Sequence, residues 1–420
     1  MKRDRRYVTA AEAAGALGIK MATLYAYTSR GMLHSESVPG QPRVRRYLRE
    51  DIERLAERKL VRRDPERLGT KTLVRGIPIL ESAITLIEGG QLYYRGRDAI
   101  KLAEEATVEE VAALLWTGDR SFAGDLFSGV RIEPWLIKLV ERSAAENAIV
   151  RCQIVLPRAA ERDAAAYDLK PGSVSFRGAL ILNLLASAIA GRRPSIAEIE
   201  DTLQRAWAPR RPGAAGAIRS ALILCADHEL NVSAFTARCV ASAASTPYDV
   251  VAAGLAALKG RRHGGYTERV EALLNEMGTP RAADTTVASR LRRGEEIPGF
   301  GHPLYQDGDP RARLLLSIAE SHGQRSTIRA VTALVDSVYA ATGEHPTLDI
   351  GLVALTRALQ LPEGAALSLF ALGRTIGWIA HAIEQYASDQ LIRPRAQYVG
   401  PRPGPVPEWA GSTFRPVFRA

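Results

Sequence analysis

The sequence predicts a mainly α-helical protein, with a small basic head joined to a large two-domain all-α body. Three observations carry that expectation. Beyond about Trp116, Ala, Leu, Arg and Glu dominate and Gly or Pro interrupts every 15 to 25 residues, as in consecutive helices. Two-residue alternation is confined to residues 33–47 and the start of the body. The formal charge of +10 is uneven: residues 1–63 hold 15 Lys and Arg against 7 Asp and Glu, leaving +2 for the other 357 residues. A basic module of that kind points to a polyanionic partner.

Length and composition narrow the classes. A chain of 420 residues implies two or three domains, and 46% apolar residues fill large cores. Cys152, Cys225 and Cys239 are odd in number and contain no close pair, which argues against disulfides and zinc and for a cytoplasmic location. The basic N-terminus has no apolar core of a secretory signal. The longest apolar run, residues 179–190, is too short to span a bilayer, so no membrane partner is expected.

Taken in order, residues 1–62 form the head. Thr9 and Glu12 fit a capping box that opens a helix over 10–17, and Gly18 ends it. A second helix covers 20–29, closed by Gly31. Residues 33–47, with turn residues Pro39-Gly40 and Pro42, read as a hairpin, and a polar helix over 49–60 completes the unit. Helix, glycine turn, helix and hairpin make a winged helix-turn-helix pattern. Lys20, Thr23, Tyr25, Tyr27 and Arg30 are candidate groove or backbone contacts to DNA, and Arg43, Arg45 and Arg46 candidate phosphate contacts. The competing reading is a helical adaptor with a solvated basic face. Residues 63–73 are a linker.

In the body, Glu88-Gly89-Gly90-Gln91 is a turn, and Thr107 with Glu110 caps a helix to about Trp116. Four stretches then carry chemistry. In Asp227-His228-Glu229-Leu230-Asn231, His228 is a donor on a site wall or part of a helix end. His263 stands before Gly264-Gly265 and a helix start over 267–277. His302 follows Gly299-Phe300-Gly301, with Arg311 behind a second turn cluster, so that an imidazole and a carboxylate-binding cation share one irregular loop. Asp349 lies at a helix entrance, as an N-cap or as a general base with a raised pKa. Residues 366–386 form a helix apolar on nearly all sides, yet carry Arg374, whose partner is Glu384 or a substrate carboxylate. Nucleophile elbow, metal-ligand spacing and dinucleotide fingerprint are all absent from the sequence.

Residues 72–400 resemble citrate synthase, on segments that stand in the family's order. These are Glu81…Gly96, residues 227–231, His263-Gly264-Gly265, Gly299-Phe300-Gly301-His302 with Asp309-Pro310-Arg311, Asp349, residues 373–381 from Gly373-Arg374 to His381, and Arg393-Pro394-Arg395-Ala396. The head is similar to the MerR and excisionase groups. The resemblance implies a citrate-synthase-like homodimer, with a large domain (74–262 and 361–420) and a small one (263–360). It implies condensation of acetyl-CoA with oxaloacetate in the tricarboxylic acid cycle, without a cofactor or metal, the CoA thioester being a co-substrate. Asp349 would take a methyl proton, His263 would stabilise the enol or enolate, and His302 would polarise the keto group. His228, Arg311, Arg374 and, across the dimer, Arg393 would hold carboxylates. Ile297, Pro298, Gly299 and Gly301 would lie against CoA.

The chain departs from the family beside these residues. Tyr266-Thr267-Glu268 stand where Ala-Asn-Glu is usual, Pro303-Leu304-Tyr305-Gln306 where Arg-Val-Tyr-Lys is usual, and Pro346-Thr347-Leu348 where Pro-Asn-Val is common. Another short acyl-CoA, as in 2-methylcitrate synthase, and another 2-oxo acid therefore stay open. So does a regulator whose body senses CoA esters or carboxylic acids.

Overall fold

The computed structural model describes residues 7–29, 33–38, 41–49, 51–52, 80–193, 198–396 and 398–400. The chain divides into two units, one up to Glu81 and one from Ser82 onward.

In the first unit Thr9 and Glu12 cap one another, Glu12 N–H donating to Thr9 Oγ1 at 3.3 Å and Thr9 N–H to Glu12 Oε2 at 2.8 Å. That cap starts α1 (Ala10–Leu17), followed by α2 (Met21–Ser29). β1 (Tyr7–Thr9), β2 (Ser35–Val38) and β3 (Gln41–Leu48) form an antiparallel sheet in the order β1-β3-β2. The register sets Val8 opposite Tyr47, and both side chains join Ala13, Ala14, Leu17, Leu24, Leu33 and Ile52 in a small core. Burying a side chain such as Leu24 contributes roughly 2 kcal/mol. The strand β1 was not foreseen, because three residues are too few to show alternation.

Lys20 and Tyr25 are exposed, Thr23 is half-buried, and Tyr27 packs on the core. Arg45 Nη1 donates to Ser35 Oγ at 2.8 Å. Arg46 is held by Glu36 and lies 4.3 Å over the Tyr7 ring. Arg30, the side chain of Arg43, the linker and most of the expected 49–60 helix lie outside the described residues.

The second unit opens with a sheet of β4 (Thr85–Glu88), β5 (Gln91–Tyr94) and β6 (Arg97–Asp98), whose first turn is Gly89-Gly90. Helices follow: α3 (Ala99–Glu105), α4 (Val108–Thr117), α5 (Ala123–Phe127), α6 (Pro134–Arg142), α7 (Ala148–Ala160), α8 (Pro171–Ala190) and α9 (Ile199–Trp207). Then come α10 (Ala214–Leu224), α11 (Val232–Ser242), α12 (Pro247–Leu258), α13 (Tyr266–Met277) and α14 (Ala283–Arg292). The last four are α15 (Pro310–His322), α16 (Arg325–Thr342), α17 (Leu348–Leu359) and α18 (Ala365–Ser388). The capping box Thr107/Glu110 opens α4 as expected.

α18 is the hub, packed against α4, α8, α10, α11 and α12 and touching α13 and α17. Gly377 lets it come that close: its N–H donates to Ala226 O at 3.0 Å, and a Cβ there would fall 2.4 Å from that oxygen. By length and composition α8 and α18 could each cross a bilayer, although no uninterrupted apolar run does so; both are packed in the core.

Candidate active site

The residues from 299 to 302 are tied to those from 345 to 349. Gly301 N–H donates to His345 O at 2.9 Å and Thr347 N–H to Gly299 O at 2.8 Å. Gly299 has φ 90°, and a Cβ on it would meet Ile350 and Val270 at 2.7–2.8 Å, so only glycine fits. This clamp delivers His302 and Asp349 to the same cavity. Leu304 N–H donates to His302 Nδ1 at 3.2 Å, which leaves the proton of the neutral ring on Nε2. Burial, and then the Arg311 charge, hold the His302 pKa below the usual histidine value.

Asp349 sits in the first turn of α17, and Thr347, not Asp349, is the N-cap residue. The expected capping role is therefore corrected: two residues inside the helix the carboxylate is free for other work. Its Oδ2 lies 3.1 Å from Thr347 Oγ1, and its buried Oδ1 has no hydrogen-bond partner among the described residues. Burial raises its pKa from 3.8 to about 6, only partly offset by Thr347 and by Arg311.

A second wall comes from residues 225–233. Tyr94 Oη, buried, bonds the carbonyls of Ile223 and Asp227 at 3.1 and 3.2 Å, and Asp227 is fixed by Thr85 at 2.7 Å and His381 at 3.2 Å. These contacts aim His228 at the cavity, its Nε2 3.0 Å from Tyr305 Oη. Burial and the Arg311 charge depress the His228 pKa strongly. Asn231 caps α11, and Ser233 in its first turn places Oγ 2.8 Å from His263 Nε2 and 2.8 Å from Asn231 Oδ1. Burial, then Arg374, push His263 down to about 3. All three imidazoles are therefore neutral at pH 7.

Two guanidinium groups complete the site. Buried Arg311 pairs with Asp309 through Nε at 2.9 Å and Nη2 at 2.7 Å, while Asp309 Oδ2 also accepts from Leu348 N–H at 3.1 Å. Buried Arg374 donates through Nε to Cys225 O at 2.7 Å, but its Nη2 has no hydrogen-bond partner among the described residues. Glu384, the alternative partner expected for it, binds Arg238 at 2.9 Å and Ala83 N–H at 2.8 Å instead. Ten residues along one helix separate the pair by about 15 Å, too far for contact.

A cavity of about 880 Å³ is lined by His228, His263, His302, Asp349, Arg311 and Arg374, among others. Phe300 and Gly301 line it too, whereas Ile297, Pro298 and Gly299 do not; Ile297 and Gly299 pack inward. Arg393 is exposed and lies outside the lining of this single chain. Ser233, Thr347 and Tyr305 were missed as functional candidates, since their roles appear only through partners distant in sequence. Among the described residues no cluster of His, Cys, Asp and Glu could hold a metal ion. Neutral donors, a carboxylate near its pKa at pH 6 and an unsatisfied buried cation suit proton abstraction next to a carbonyl, on an anionic substrate.

Comparison with known proteins agrees. The family described as "Citrate synthase, C-terminal domain" matches residues 73–395. The chain is 30% identical to citrate synthase 2 of Bacillus subtilis over 353 residues, covering 76% of this chain and 93% of that one. It is 26% identical to 2-methylcitrate synthase 1 of Corynebacterium glutamicum, covering 74% and 90%. Among solved structures it is similar to the ternary complex of Thermoplasma acidophilum citrate synthase with carboxymethyl coenzyme A and oxaloacetate. The TM-score is 0.69 at 27% identity, over 80% of this chain and 98% of that one.

Proposed function

The chain belongs to the citrate synthase family, and from that premise we propose how it joins acetyl-CoA to oxaloacetate to release citrate and CoA. It is an acyltransferase of the citrate synthase type, and the observation that carries the mechanism is one cavity shared by Asp349, His263 and His302.

Asp349 takes a proton from the thioester methyl group. A carboxylate alone is too weak for that carbon acid, so charge developing on the thioester oxygen must meet a donor. His263 is that donor, its ring held in place by the Ser233 hydroxyl at Nε2. The enol carbon then attacks the keto carbon of oxaloacetate, whose oxygen is polarised by the His302 Nε2–H as negative charge develops on it. Arg374 and Arg311 hold the carboxylates, with His228 donating beside them. The unpartnered Nη2 of Arg374 supports its share. Water then splits the citryl thioester, releasing citrate and CoA.

Arg393 reaches the cavity of a partner chain in a homodimer, and Ile297, Pro298, Gly299 and Gly301 form the stretch along which CoA lies. The small domain, residues 263–360, closes on the large one, residues 74–262 and 361–420, to exclude water. Three unpaired cysteines favour the cytoplasm. Propionyl-CoA, giving 2-methylcitrate, is the second acyl reading, kept by the likeness to the Corynebacterium protein. The test is release of free thiol from acetyl- and propionyl-CoA with oxaloacetate, in the parent and in Asp349→Ala. Turnover that survives unchanged in the variant would remove this mechanism.

The head, residues 1–62, followed by the linker at 63–73, is a winged helix-turn-helix module that binds DNA. Its charge excess and the exposed Lys20, Tyr25 and Arg45 support this. Duplex DNA should shift in a gel at low salt, with log affinity falling linearly as log salt rises. No shift at any salt would leave the helical-adaptor reading.

A further inference from the structure

We propose that Tyr266 sets the acyl-group size of this enzyme, its pinned ring admitting acetyl-CoA and excluding propionyl-CoA and longer esters. The inference rests on the condensation reading above. Tyr266 opens α13 directly after His263-Gly264-Gly265, and its N–H donates to His263 O at 2.9 Å. It lines the same cavity as His263 and Asp349. The carbon that Asp349 deprotonates carries only hydrogens in acetyl-CoA, but one methyl group in propionyl-CoA. That methyl must find room on the wall that Tyr266 helps to build.

The ring is not free to swing away. Its hydroxyl donates to Glu296, and the Arg269 guanidinium covers its face at 4.8 Å. Arg269 in turn pairs with the same Glu296 at 3.1 Å. Tyr266, Arg269 and Glu296 thus form a closed three-way lock between α13 and the segment leading to Phe300 and Gly301. Burial and the Glu296 bond push the phenol pKa up, so the hydroxyl stays protonated and keeps donating.

The experiment measures kcat/KM for acetyl-, propionyl- and butyryl-CoA with oxaloacetate, on the full chain and on Tyr266→Ala, Tyr266→Phe and Glu296→Gln. One methylene in a fitted pocket is worth about 10- to 200-fold in discrimination. The parent should therefore prefer acetyl-CoA, and Tyr266→Ala should move the propionyl-to-acetyl ratio upward by about tenfold or more. Tyr266→Phe removes the hydroxyl's bond to Glu296 and Glu296→Gln removes the ion pair with Arg269, so each keeps a ring but loosens it, and should move the ratio the same way by about threefold. If Tyr266→Ala does not fold, these two variants decide. An active parent whose ratio stays within about twofold in every folded variant overturns the proposal and leaves the condensation reading intact. A parent that releases CoA from none of the three esters instead defeats the condensation reading, and this inference with it.

Discussion

At the scale of single residues, Asp349 ties activity to instability. Its pKa is raised from 3.8 to about 6 because burial disfavours the carboxylate. A base must be ionised, so kcat/KM should fall about tenfold per unit as pH drops below about 6. The linkage runs the other way for folding. A raised folded pKa contributes stability that is full below 3.8 and lost as pH rises through about 6, a swing of at most about 3 kcal/mol. Asp349→Asn should abolish turnover, yet gain more thermal stability over the parent at pH 8 than at pH 4. An equal difference at both pH values would refute the desolvated carboxylate. Ser233→Ala removes the hydroxyl that orients His263, and should lower kcat by about 10- to 100-fold, with a smaller effect on KM for oxaloacetate. His263, His302 and Asp349 were legible because glycines or a helix entrance mark each of them locally. Ser233 and Tyr305 were not, for their partners lie 30 and 77 residues away and only the fold supplies them.

At the scale of elements, helix starts were legible where side chains close a local cap, as at Thr9/Glu12 and Thr107/Glu110. What sequence could not give is which helix meets which. Residues 366–386 read as buried, but not as the axis on which helices from across the body pack, because that role depends on surfaces contributed from all along the body. The tight crossing near Arg374 is the consequence. At Gly377 a methyl group would lie 2.4 Å from a main-chain oxygen, and no rotamer change relieves a clash with backbone. Ala is about 1 kcal/mol better than Gly inside a helix, but overpacking of this kind costs about 1–3 kcal/mol. Gly377→Ala should therefore be neutral to destabilising by up to about 2 kcal/mol in denaturant melts. It should also raise KM for oxaloacetate, since Arg374 lies one turn away on the displaced helix. A variant more stable than the parent would show that the crossing has slack.

At the scale of the whole molecule, counting charges sets residues 1–63 apart from the rest, whereas the two units divide at Glu81 and Ser82. Assembly was not legible in the same way, because an isologous interface leaves no periodic mark on a sequence. Arg393 bears on this: it follows α18, is exposed, and lies outside the lining of its own chain's cavity. If Arg393 serves a neighbour's cavity, two inactive proteins should repair each other. Consider Arg393→Ala mixed with Asp349→Ala, dissociated and reassembled. In a hybrid dimer, one cavity combines an intact Asp349 with an intact Arg393 from the other chain, and the second cavity has neither. Random pairing makes half the dimers hybrid, so activity should return to about a quarter of the parent value. If Arg393 served its own chain, every cavity in every dimer would lack one group, and mixing would restore nothing.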